Sequence, residues 1–137
     1  SGKTWSAIFA MKRHLKDHQN CIVIVPSTLL LEQWVDEINL LIKDAKILRV
    51  GDSHKAWKQA GYLASFSSPD NTKKPKIIIA IRNSAASDFF LNNIKVGEHQ
   101  MLVSDEVHGL GSKKYSKIFN LDDETLLMEF DERVLNG

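Results

Sequence analysis

The chain has 137 residues, 43% hydrophobic and 26% charged, with a formal net charge of +1. That is the make-up of one ordinary globular domain with enough chain to bury a core. It excludes a strongly basic or acidic protein, and Cys21, the single cysteine, excludes a disulfide scaffold or a cysteine metal cluster. The apolar runs are too short for a membrane span. No signal-peptide layout opens the sequence, so the expected compartment is the cytoplasm, or the nucleus if the source is eukaryotic.

Residues 4–16 carry Ile8, Phe9, Met11 and Leu15 at roughly helical spacing. Residues 21–25 (C-I-V-I-V) form a continuous apolar, β-branched run, as in a strand buried on both faces of a parallel sheet; Cys21 is expected to be an inert buried thiol there. Pro26-Ser27-Thr28 stops the run, and either hydroxyl can cap the next helix. Residues 29–42 put Leu30, Trp34, Ile38, Leu41 and Ile42 on one helical stripe, which makes Trp34 a core residue. Residues 46–50 read as a short strand, 54–66 as a helix containing Gly61, and 67–75 as a loop. A second continuous apolar strand covers 76–81, a helix 84–93, and a third buried strand 100–104. Residues 113–119 and 123–130 are predicted to be helical. Strands alternating with helices imply an α/β domain with a mostly parallel sheet flanked by helices and right-handed crossovers. Ligands of such sheets bind beyond the carboxyl ends of the strands.

Two stretches carry chemistry. S-G-K-T, residues 1–4, is the distal half of the phosphate-binding pattern G-x-x-x-x-G-K-[ST], whose first glycine would precede Ser1. Backbone N–H groups and the dipole at a helix start favour a phosphate; the lysine reaches the β- and γ-phosphates, and the hydroxyl holds Mg²⁺. Standing alone, the tetrapeptide reads equally as a plain chain end. The second stretch is M-L-V-S-D-E-V-H-G-L-G, residues 101–111. Here a buried strand runs straight into Asp105 and Glu106, suited to organising the metal shell and to orienting the attacking water. A solvated acidic turn is the bland alternative.

S-G-K-T, P-S-T-L-L-L-E-Q-W, I-I-I-A-I-R-N-S and L-V-S-D-E-V-H-G-L-G, in that order, resemble the first motor lobe of superfamily-two helicases and translocases. The D-E-V-H form is similar to the DEAH-related branch that includes restriction-enzyme motor subunits and DNA-repair helicases. The resemblance implies a RecA-like P-loop NTPase lobe that binds ATP and Mg²⁺ and couples hydrolysis to movement along nucleic acid, with DNA favoured over RNA and the choice left open. It implies nucleotide binding by Gly2, Lys3 and Thr4, metal binding by Thr4 and Asp105, and catalysis by Lys3, Asp105 and Glu106. His108 would link the nucleotide and nucleic-acid sites; a partly buried, hydrogen-bonding histidine is the alternative. Pro26, Ser27, Thr28, Gln33 and Ser84 would touch the strand backbone, although an N-cap explains Ser27 and Thr28 equally well. Arg82 departs from the family pattern, which has Thr there. The S-A-T segment expected after the D-E-x-H helix is also absent, so residues 1–137 are read as one lobe, truncated before Ser1 and with a gap near 119–122. A second motor lobe carrying an arginine finger is the expected partner, and the lobe alone is expected to turn over ATP poorly. Two alternatives stand beside the motor: a P-loop ATPase or kinase that never meets nucleic acid, and an inactive scaffold lobe.

Overall fold

A computed structural model describes residues 2–105 and 126–129. Its elements are α1 (Gly2–His14), β1 (Asn20–Val25), α2 (Thr28–Leu41), β2 (Lys46–Val50), a 3₁₀ turn (Ala56–Lys58), α3 (Tyr62–Ser67), β3 (Lys76–Ile81), α4 (Arg82–Ala85), α5 (Asp88–Asn93), β4 (Gln100–Ser104) and β5 (Leu126–Glu129). The five strands form one sheet in the order β2-β3-β1-β4-β5, and every pairing is parallel. The α/β class and the parallel sheet expected from the alternation are therefore present.

The side-chain period of two sorts the strands onto two cores. Cys21, Val23, Val25, Ile77, Ile79, Met101 and Val103 pack beneath α1 and α2. Ile22, Ile24, Ile78, Ala80 and Leu102 face the 3₁₀ turn and α3 to α5. With both faces covered, β1 and β4 are buried along their whole length, as their unbroken apolar runs require. Cys21 is fully buried, and burial pushes its thiol pKa far up, which makes it unreactive.

Three predicted helices are corrected. The span 54–66 is a 3₁₀ turn followed by α3, because Gly61 sits at φ 77°, a left-handed conformation that interrupts a helix. The span 84–93 is two short helices. Ser87 divides them: its hydroxyl donates to the Ser84 carbonyl at 2.7 Å and accepts from Phe90 N at 3.3 Å, capping α5. The span 123–130 contains strand β5, in register with β4 from Met101↔Leu126 to Ser104↔Glu129. A three-residue apolar run suits either helix or strand, and sheet pairing decided it. The predicted helix at 113–119 and the proposed gap near 119–122 lie outside the described residues.

The amino edge of the sheet is a buried polar layer. Asn20, Lys76 and Gln100 open three neighbouring strands. They donate to the carbonyls of Phe66, Ser68 and Ser67 respectively, satisfying the carbonyls that end α3. Beside this layer the His14 ring meets the carbonyls of Asn20 at 3.0 Å and His99 at 3.2 Å. Burial, and secondarily the neighbouring His18 and His99, hold its pKa below the ordinary 6.5. The unfolded chain therefore takes up this proton first as pH falls. The contribution of neutral His14 is complete above pH 6.5 and is lost below it, down to the folded-state pKa. Urea midpoints should thus fall between pH 7.5 and pH 5.5, and His14→Gln should flatten part of that slope; an unchanged slope would remove His14 as a contributor.

Candidate nucleotide and nucleic-acid site

Strands β1 to β4 all point the same way, so the turns after Val25, Val50, Ile81 and Ser104 gather at one edge. Helix α1 runs back against them. Its last residue, His14, is tied to the carbonyls of Asn20 and His99, where β1 and β4 are entered. Thirteen helical residues span about 20 Å, close to the length of a strand of five or six residues. The leading turn Gly2-Lys3-Thr4 therefore belongs to the carboxyl edge, and α1 contacts β4, the strand that delivers Asp105. This first turn carries no acidic residue, while Lys12, Arg13 and His14 close the helix. The first turn therefore brings no carboxylate of its own to the positive end of the helix dipole.

Asp105 directly follows β4, and its N–H donates to the Ile24 carbonyl at 2.8 Å, extending the ladder by one step. Met101 and Val103 face α1 and α2 while Leu102 faces the other core. The same alternation turns the Asp105 side chain toward α1 and α2. It is only 4% exposed, and its Oδ2 accepts a hydrogen bond from Trp34 Nε1 of α2 at 3.0 Å. The sequence reading of Trp34 as core holds, since it is 1% exposed, but that reading missed its polar bond. The available signal was the indole N–H itself, a donor that finds an acceptor when buried.

The turn after β1 exposes Pro26, Thr28 and Gln33. Ser27 is the N-cap of α2: its Oγ accepts from Leu30 N at 3.2 Å. Ser84 is buried on α4, and Arg82 stands exposed at the head of that helix. Of the tryptophans with no role assigned from sequence, Trp57 is core, whereas Trp5 is 43% exposed and donates to Glu37 Oε2 at 2.6 Å. Glu106 and His108 lie outside the described residues. Among the described residues no three His, Cys, Asp or Glu side chains cluster to hold a metal, and no helix is long and apolar enough to cross a membrane.

A parallel sheet between helices, a helix start without acidic residues in its first turn and a buried carboxylate at the neighbouring strand end are parts that a nucleotide-hydrolysing lobe requires. The family described as type III restriction enzyme, res subunit, matches residues 1–131. The chain belongs to this family, a superfamily-two helicase-type ATPase domain with the RecA-like fold expected from the sequence. Neither the curated proteins nor the solved structures gave a match.

Proposed function

We propose that this lobe is the ATP-binding half of a DNA translocase of the DEAH-related branch, completed by a second motor lobe. What supports the reading is that α1, which opens with Gly2-Lys3-Thr4, contacts β4, the strand that Asp105 follows, on the sheet face toward which Asp105 turns. Gly2 and the amides of the first turn receive the phosphates, and Lys3 neutralises their charge. The donor set fits magnesium: the Thr4 hydroxyl and the Asp105 carboxylate are hard oxygen ligands, and Mg²⁺ commonly takes one or two protein ligands beside phosphate oxygens and water. When bound, the ion offsets charge developing on the β- and γ-phosphate oxygens. Glu106 is the base that orients the attacking water, and His108 the link to the nucleic-acid side.

Grip on the strand falls to Pro26, Ser27, Thr28, Gln33 and Ser84. A translocase must hold any sequence, so it binds phosphate and sugar through hydroxyls, amides and helix starts. The capping role of Ser27 is compatible with this grip. As a cap its oxygen accepts, and its O–H remains to donate to a phosphate oxygen. Exposed Thr28 and Gln33 follow it on α2. Ser84 is buried, so its contact requires the start of α4 to open, and Arg82 is the more accessible donor.

ATPase rate in the full-length protein tests the proposal. Duplex or single-stranded DNA is expected to stimulate turnover at least about tenfold, and RNA much less. The isolated lobe is expected to turn over ATP slowly under every condition. Turnover indifferent to both nucleic acids would favour the P-loop ATPase without a strand.

A further inference from the structure

We infer that Trp34 is a positioning residue of the metal site, holding the Asp105 carboxylate in the orientation that binds magnesium. This rests on the reading of Asp105 as the metal-holding acid. The geometry has three parts. Trp34 and Asp105 are both almost fully buried. The Nε1 to Oδ2 distance of 3.0 Å joins residues 71 positions apart. Asp105 stands one residue past the last strand position, where the sheet fixes its backbone through the Ile24 carbonyl and side-chain contacts, the indole among them, set its torsions. A rigid indole packed in the core supplies what the backbone does not: one carboxylate oxygen is held and the rotation of the group is set.

Trp34 sits on α2 directly after Gln33, two turns from the Ser27 cap. Packing alone does not account for the pair, because a carboxylate is an expensive acceptor to bury and a carbonyl would satisfy the indole as well. Trp57 shows that simpler solution: it is equally buried, and its Nε1 donates to the Gly51 carbonyl at 3.0 Å.

Trp57 is therefore the control. Affinity for Mn²⁺ in the presence of ADP would be measured by electron paramagnetic resonance on the full-length protein and on its Trp34→Phe, Trp57→Phe and Asp105→Asn variants. Groups that orient a metal ligand typically contribute about 10- to 100-fold in metal affinity. That loss is expected for Trp34→Phe, while Trp57→Phe stays within about twofold of the parent and Asp105→Asn binds more weakly than Trp34→Phe. Equal affinities for the two Phe variants, with Asp105→Asn still defective, would overturn the inference and leave the metal site standing. Parental affinity in Asp105→Asn would overturn both. If Trp34→Phe fails to fold, the Trp5→Phe/Trp57→Phe double variant of the 137-residue lobe leaves Trp34 as the sole tryptophan of residues 1–137. Its emission should shift when Mn²⁺ and ADP bind, and no shift would sink the proposal.

Discussion

Glu106→Gln in the full-length protein is expected to lower the ATPase kcat by roughly 10²- to 10⁴-fold, the usual contribution of a general base. ATP affinity should stay within about threefold. Glutamine keeps the length and most of the hydrogen-bonding capacity of glutamate but cannot accept a proton from water. A substitution that removes only proton transfer leaves ground-state binding intact, and kcat and kcat/KM should fall together. Asp105→Asn differs because it strikes the metal shell: its defect should appear first as weakened metal binding, and added Mg²⁺ should recover part of the rate. The two neighbours, one residue apart in sequence, should thus separate into a chemical defect and a binding defect. Steady-state ATPase measured beside equilibrium binding of a fluorescent nucleotide would distinguish them. Undiminished turnover in Glu106→Gln would remove it from the role of base.

The strands were readable because both faces of the sheet are covered. C-I-V-I-V and K-I-I-I-A-I have no polar alternation to lose, and β1 and β3 lie where those runs predict. The carboxyl-edge turn and Asp105 came from the same logic, since a strand end is visible wherever an apolar run stops. Three features were hidden, each for a physical reason. Lys76 heads an apolar strand yet is buried, because its ammonium reaches the Ser68 carbonyl and the Asp70 carboxylate, partners supplied by folding. The break at Ser87 depends on one hydroxyl choosing two local backbone partners over solvent. The bond between Trp34 and Asp105 closes only when α2 is laid over β1 and β4 enters beside it. No local pattern records a donor and an acceptor that meet through tertiary packing.

The largest loss of stability among single substitutions outside the site is expected at Trp57. The segment between β2 and α3 has one 3₁₀ turn of three residues, so it is held to the sheet by side chains and not by helical bonds of its own. Trp57 is the main anchor. Its ring is 1% exposed and packs edge-on to Phe89 and Phe90, with centroids 5.7 and 6.4 Å away. Lys58 Nζ lies 5.2 Å from the ring centroid, and Nε1 donates to the Gly51 carbonyl. Trp57→Ala removes this packing and one of the two hydrogen bonds to the Gly51 carbonyl, which keeps the His54 N–H at 3.1 Å; large-to-small core changes of this kind indicate about 3–5 kcal/mol. For a domain of this size that corresponds to a fall in Tm on the order of 15 °C. Trp57→Phe keeps most of the contact area and should cost only about 1–2 kcal/mol, chiefly the lost hydrogen bond. Thermal unfolding monitored by circular dichroism would read both. A Trp57→Ala protein melting within about 3 °C of the parent would mean that the turn after β2 draws its order from elsewhere. The same variant should loosen the loop that begins at Gly51, on the carboxyl edge beside the end of β3, where a Cβ on Gly51 would come within 2.9 Å of Ile81 Cδ1. A weakened DNA response accompanying the lower melting point would then mark that loop as part of the strand-gripping edge, and an unaltered response would confine the role of Trp57 to stability.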